Sequence, residues 1–472
     1  AALLSLAEDG IYGHAAAILL REGRLAHLLR YTPYTAYDKA REAASMQRVE
    51  KTSDVSRALL LFFTGLDEEL FKGLGDVEIV VERRGGRTYI NIHRAGKLLS
   101  PPLAQLVISK RGVARLVGGS LFKELKGMYE AEYLRSDAEI LPVGRLPLLL
   151  GWLATDVTLI GNYVYASTTQ RWQVEALRTL LGKPEKSQVR GFNVTLKGLK
   201  PDIKMQWRRE VLDSIVKEAG WEFIPGGVEK FDDLIRLRWD AVINAVKEAR
   251  GRLAKLITCR GEGRCGEEKL GEMLKELEAF AAKVEKWRRG EIRGEEVEKL
   301  YREARKYLAP ALLLLELESA EKQEDELKEA KPEERQTALW RLGLAFAAAV
   351  AGDGSVRRGD IRLVSGDGGA ALLWLAALQK AGELAGFKPR LYVEGKYYRV
   401  EVTGEGDVAA LAAVMPAVGL NPKAEKAINM FREWAEEAKA VEVKLEAVEK
   451  TGKLAKAVVA VRAGPWEAKY DV

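Results

Sequence analysis

Small and apolar residues run almost unbroken through 146–154 and again through 346–351, and each run closes within a few residues of an aspartate, Asp156 and Asp353. Helices that are apolar on every side belong in a core. Past the first run, alternation at 157–160 and 163–166 around Gly161-Asn162 predicts two strands. Three-and-four spacing at 172–181 then predicts an amphipathic helix, followed by strands at 192–196 and 203–207 and a helix at 209–219. After Pro332 the order returns: helix 337–351, strands 355–358 and 360–364, helix 370–384, strands 390–393 and 397–402, helix 407–414. An αββαββα unit thus occurs twice.

Residues 229–331 read differently, as Glu/Lys/Arg-rich stretches with apolar positions at helical spacing (Leu234, Leu237, Ala241, Ile243, Val246, then Leu270, Leu274, Leu277, Phe280). This predicts a long α-helical, coiled-coil-like insertion that projects as an arm. Its marked turn holds Cys259 and Cys265. Zinc would need two more ligands that the sequence does not place nearby, so a disulfide clip and two free thiols both stay open. In the first 143 residues, short helices are expected at 15–20, 37–46 and 55–63. A hairpin joins 77–81 to 89–92 around Arg83-Arg84-Gly85-Gly86-Arg87, where the Gly-Gly pair supplies positive φ. The arginines at its tip suit a phosphate or simply solvate the turn. A second hairpin is expected at 441–461. The predicted class is α+β, organised as an N-terminal α/β region (1–143), a first half (144–220), the helical insertion (229–331), a second half (335–436) and a C-terminal hairpin segment (437–472).

A chain of 472 residues that is 47% hydrophobic buries more than one core. Charged residues make up 31% while Asn and Gln total only 15, a balance that fits a hyperthermophile. Three histidines (His14, His27, His93) and two cysteines leave any chemistry to carboxylates, lysines and hydroxyls. No apolar run of about 20 residues is present, and no leader is evident, so the chain reads as soluble and cytoplasmic. The net charge of +6 says little, but its placement says more. Between Lys183 and Glu210 stand eight basic residues (Lys183, Lys186, Arg190, Lys197, Lys200, Lys204, Arg208, Arg209) against three acidic ones. Lys388, Arg390, Lys396, Tyr397 and Arg399 repeat the theme, with Tyr397 and Arg399 on the strand face opposite Tyr398, Val400 and Val402. Phosphate contacts from such residues give salt-dependent, largely sequence-independent binding of DNA or RNA.

If the two apolar helices pair through Gly151, Ala154, Ala347 and Ala348, then Asp156 and Asp353 meet at two dipole-negative helix ends. Adjacent carboxylates are costly without a cation, and Mg²⁺ would relieve them while activating water for phosphodiester hydrolysis. The plainer reading makes each aspartate a helix stop or cap. With these residues, 144–220 and 335–436 resemble the LAGLIDADG proteins: homing endonucleases, intron maturases and relatives that became transcription regulators. That resemblance implies a pseudo-symmetric monomer in which Asp156 and Asp353 are the catalytic metal ligands for Mg²⁺-dependent, site-specific cleavage. Gln170 and Lys197 are the nearest matches to its further catalytic positions. Val157 stands where the motif ends in glycine, no glutamine follows Asp353 in the matching strand region, and the first hairpin of each half is short. These departures favour binding over cutting, and retained divalent-metal-dependent cleavage and its loss both stay open. Through 6–14 and 170–182 the chain is also similar to the paralogous-repeat (PaRep) proteins of hyperthermophilic archaea, which implies no known activity. The rival reading is a non-catalytic structural or protein-interaction protein, its helical insertion docking a protein partner beside a vestigial endonuclease fold.

Overall fold

A computed structural model describes residues 54–415, apart from 67, 76, 111, 136, 196–197, 220–227, 260–264, 328–331 and 358, together with 422, 423, 426 and 429 and the strands within 441–471. The expected helices at 15–20 and 37–46, the 6–14 stretch and Lys197 lie outside the described residues. The chain is of mixed α+β class.

Helices α1 (Asp54–Gly65) and α2 (Glu68–Leu74) lead into strands β1 (Val77–Arg84), β2 (Arg87–Arg94), β3 (Ala104–Ile108) and β4 (Ala114–Gly118), then α3 (Ser120–Tyr129). Next come α4 (Arg145–Ala154), β5 (Val157–Ile160), β6 (Tyr163–Thr168), α5 (Arg171–Leu181), β7 (Lys186–Thr195), β8 (Gly198–Arg208) and α6 (Glu210–Glu218). The 229–331 stretch supplies α7 (Phe231–Ile235), α8 (Trp239–Glu248), α9 (Arg250–Leu256), β9 (Ile257–Cys259), α10 (Gly266–Arg288) and α11 (Glu295–Leu327). Then follow α12 (Pro332–Asp353), β10 (Gly354–Arg357), β11 (Asp360–Ser365), α13 (Gly368–Ala385), β12 (Pro389–Glu394), β13 (Tyr397–Thr403) and α14 (Glu405–Val414). Strands β14 (Val441–Thr451), β15 (Leu454–Ala463) and β16 (Trp466–Asp471) close the chain as an antiparallel sheet. The expected C-terminal hairpin therefore carries a third strand.

The chain divides into two compact units, 1–139 with 165–207 and 140–164 with 208–472. The 144–220 stretch is shared between them. In the first unit seven strands run in the order β1-β2-β3-β4-β7-β8-β6, so the N-terminal hairpins extend the same sheet as β7 and β8. Gly85 and Gly86, at φ +59° and +70°, make the two-residue β1–β2 turn that the sequence predicts. One face of this sheet is apolar: cross-strand neighbours Ile90, Leu106, Leu116 and Phe192 are buried, and α1 and α3 pack over them.

The second unit holds a sheet ordered β10-β11-β13-β12-β9. Its β11-β13-β12 arrangement repeats β6-β8-β7 of the first unit. Asp367 caps α13, its carboxylate accepting from the Ala370 N–H at 3.1 Å. The 229–331 stretch does not project as an arm. In α11, Leu308, Ala309, Ala311, Leu312 and Leu313 are fully buried, and the helix packs on α4, α12 and α13. Phe280 of α10 stacks on Tyr307 at 4.4 Å between ring centres, with Trp239 set edge-on to both rings. Strand β9 joins the sheet parallel to β12, and Cys259 is disulfide-bonded to Cys265. The periodicity of 229–331 gave the helices correctly but not their burial, because charged side chains at the same spacing mask an apolar stripe broad enough for a core.

Candidate nucleic-acid interface and the paired-helix aspartates

The second unit contains both aspartates. Helix α4 lies against α12, backbone close to backbone: a Cβ on Gly151 would run into the Ala345 carbonyl oxygen and stand 2.7 Å from the Ala348 Cβ. At the foot of the pair, a Cβ on Gly352 would collide with the Thr155 hydroxyl and stand 3.2 Å from Asp156 Oδ2. Gly151 and Ala348 thus meet across the pair as the sequence predicts.

Two cations that the sequence reading missed complete this site. Arg305 of α11 donates through Nη1 to the carbonyls of Leu153 (2.7 Å), Thr155 (2.9 Å) and Val157 (2.9 Å). Lys423 Nζ donates to the carbonyls of Val350 (2.9 Å), Ala351 (2.9 Å), Gly352 (3.4 Å) and Gly354 (2.7 Å). Each cation therefore sits at the carbonyl end of one helix of the pair, where the helix dipole favours positive charge. Burial lowers the pKa of both, while Asp156 and Asp353 draw them back up, so each cation feels both carboxylates. Asp353 is raised by the apolar packing around it, against the pull of Arg305 and Lys423, although part of its side chain stays in water. Arg305 had a signal: it shares the helical stripe of Tyr301, Leu308 and Leu312, where a solvated arginine has no place. Lys423 had none.

This donor set does not suit Mg²⁺. The carbonyl oxygens that would complete an oxygen shell already accept from Arg305 and Lys423, and a divalent ion there would face two fixed positive charges. Among the described residues no group of three His, Cys, Asp or Glu side chains gathers at a metal's spacing. Gln170 belongs to the other unit, at the start of α5, with its backbone N–H donating to the Thr168 hydroxyl at 3.0 Å. Millimolar Mg²⁺ or Mn²⁺ is therefore expected to leave the melting temperature unchanged, since only a ligand of the folded chain raises it. A concentration-dependent rise in scanning fluorimetry would contradict this.

The basic residues fall on two sheet faces of different character. In the first unit, cross-strand pairing sets Tyr89, Val107, Arg115, Asn193 and Lys200 in one row across β2, β3, β4, β7 and β8. At about 4.8 Å per strand the row is roughly 19 Å long. It lies on the face opposite the buried Ile90–Leu106–Leu116–Phe192 row, and its five side chains are half-exposed. Lys186, Gln188, Arg190, Lys204 and Gln206 share this face, with Lys204 4.5 Å from the Tyr165 ring centre. Asp202, the one acidic residue among the β7 and β8 positions of this face, pairs with Arg115 and with Arg190 at 3.2 Å. Among the described residues no carboxylate pairs with Lys186, Lys200 or Lys204. Lys183, in the turn before β7, and Arg208, the last residue of β8, are exposed.

The second unit's polar face is balanced instead. Arg399 reaches Glu394 at 2.9 Å and Glu401 at 2.8 Å and lies over the Tyr392 ring. Arg362 pairs with Asp360 and comes within 3.5 Å of the same Glu401, a carboxylate only 4% exposed. Arg399 is thus committed to holding a buried acid; alternation sets Glu401 on the same strand face, but its burial is not visible in the sequence. Arg390, Lys388, Lys396 and Tyr397 remain exposed around it. No helix among the described residues is long and apolar enough to cross a membrane. No family model and no curated protein matches the chain.

Proposed function

We propose that this chain binds nucleic acid through the polar face of the first unit's sheet and does not cut it. The observation that carries the reading is the pairing of a helix-covered apolar face with an opposite face that sets lysines, with which no carboxylate among the described residues pairs, beside amides and tyrosines. That combination suits phosphate contacts from Lys186, Lys200 and Lys204, with aromatic and amide groups to meet bases. The repeated αββαββα order, the shared strand order and the close pair α4–α12 support descent from a LAGLIDADG-like protein. Arg305 and Lys423 at the aspartates favour a structural use of that pair, with carboxylates balancing helix-capping cations rather than holding metal. The rival reading, a docking arm for a protein partner, is less favoured because the apolar face of 229–331 is buried in the second unit and does not project.

Binding to single-stranded and duplex DNA and RNA, titrated with salt on the intact chain, tests the proposal. The expected result is a linear fall of log affinity with log salt, of slope between about −2 and −4 for three to four phosphate contacts. Absence of binding at about 50 mM salt, or an affinity indifferent to salt, would overturn it.

A further inference from the structure

Next to Tyr89, at one end of the cross-strand row, the β1–β2 turn and the turn after β3 enclose an open cleft of about 750 Å³ lined by Arg84, Gly85, Arg87, Tyr89, Ser109 and Lys110. Every charged residue in its lining is a cation. Among the described residues no carboxylate pairs with Arg84, Arg87 or Lys110. Arg84 and Arg87 are direct cross-strand partners, held together by the tight Gly85-Gly86 turn. Lys110 lies across that turn, its Cε 2.7 Å from where a Cβ on Gly86 would be. Like charges directly opposite one another destabilise a strand pair, so this arrangement stands to gain from an anion. The Arg84 guanidinium, 4.7 Å from the centre of the Tyr89 ring, is oriented by that contact instead of by an acid.

Three convergent cations match a dianion better than the single charge of a phosphodiester. A phosphomonoester carries about −1.5 to −2 at pH 7 and offers three acceptor oxygens. The cleft is also continuous with the row Tyr89–Val107–Arg115–Asn193–Lys200, along which a strand of a few nucleotides fits. We propose that this cleft takes the terminal phosphomonoester of a nucleic-acid strand whose next nucleotides follow the row. This rests on the nucleic-acid reading above and adds a strand-end preference to it.

The test uses one oligonucleotide sequence in three forms, 5′-phosphorylated, 3′-phosphorylated and unphosphorylated, against the intact chain, the Arg84→Gln/Arg87→Gln/Lys110→Gln variant and the charge-keeping Arg84→Lys/Arg87→Lys variant. One phosphorylated form should bind the parent about tenfold more tightly than the unphosphorylated strand, in keeping with two or three solvent-exposed ion pairs. That preference should vanish in the glutamine variant, all three forms then binding alike at whatever affinity the lost charge leaves, and persist in the lysine variant, which keeps the charge. Equal affinity of the parent for all three forms, or a preference that survives in the glutamine variant, would overturn the strand-end site while leaving the sheet interface standing. Failure of all three forms to bind the parent would overturn the nucleic-acid reading itself. An acidic peptide that displaces the phosphorylated strand at equal concentration would show that the cleft reads charge and not phosphate.

Discussion

Replacing 229–331 by a flexible linker is expected to abolish the cooperative melt of the second unit. The deletion removes Phe280, Tyr307, Leu308, Leu312 and Leu313, all nearly or wholly inaccessible, from a core that α12 and α13 share. Full burial of each such side chain contributes about 1.5–3 kcal/mol, so the loss of a handful rivals the roughly 5–15 kcal/mol by which folded domains are ordinarily stable. It also takes Arg305 from the carbonyls of Leu153, Thr155 and Val157, and β9 from the edge of β12. Calorimetry on the shortened chain checks this. Two preserved transitions would return the stretch to the role of a dispensable arm.

The second large effect belongs to the helix pair. Gly151→Val should destabilise the second unit by about 3 kcal/mol or more, because the new branched side chain must displace the Ala345 carbonyl and the Ala348 methyl in a packed interior. Overpacking of this kind cannot be relieved by a rotamer change when the obstacle is backbone. At Gly271, in α10, a Cβ would have open space within 4 Å, so Gly271→Ala should instead stabilise by about 0.5–1 kcal/mol through helix propensity. Denaturant melts of the two variants against the parent give the comparison. A Gly151→Val protein as stable as the parent would mean that α4 and α12 do not pack as closely as described.

Much of this fold was legible where one signal decides one element. The small and apolar runs at 146–154 and 346–351 give both the helices and their pairing, because Gly151 set against alanines lets two backbones approach closely. Gly85-Gly86 fixes the β1–β2 turn, and alternation at 397–402 gives the faces of β13 correctly. What stayed hidden depends on partners distant in sequence. The N-terminal strands join the sheet of β7 and β8 through the β4–β7 pairing of Arg115 with Asn193, which no local pattern announces. Arg399 is the local exception: alternation already sets Glu401 on its strand face, and what the sequence does not show is that Glu401 is buried and needs that cation. Arg305 and Lys423 beside the aspartates stayed hidden because they lie about 150 and 70 residues away from the carbonyls they cap. Charge compensation is a tertiary property, and a one-dimensional reading of basic and acidic positions misjudges it wherever the counter-charge arrives from another element.

The claim that the first unit's sheet face is the nucleic-acid interface is tested most directly by reversing charge on each sheet separately. Lys200→Glu/Lys204→Glu and Arg390→Glu/Lys396→Glu are compared with the parent by salt-titrated binding to one DNA or RNA strand. Lys200→Glu/Lys204→Glu should weaken binding and flatten the salt slope by about 1.4–1.8, the loss of two phosphate contacts, while Arg390→Glu/Lys396→Glu leaves the slope unchanged. An unaltered slope for the first variant, or an equal loss in the second, would contradict it.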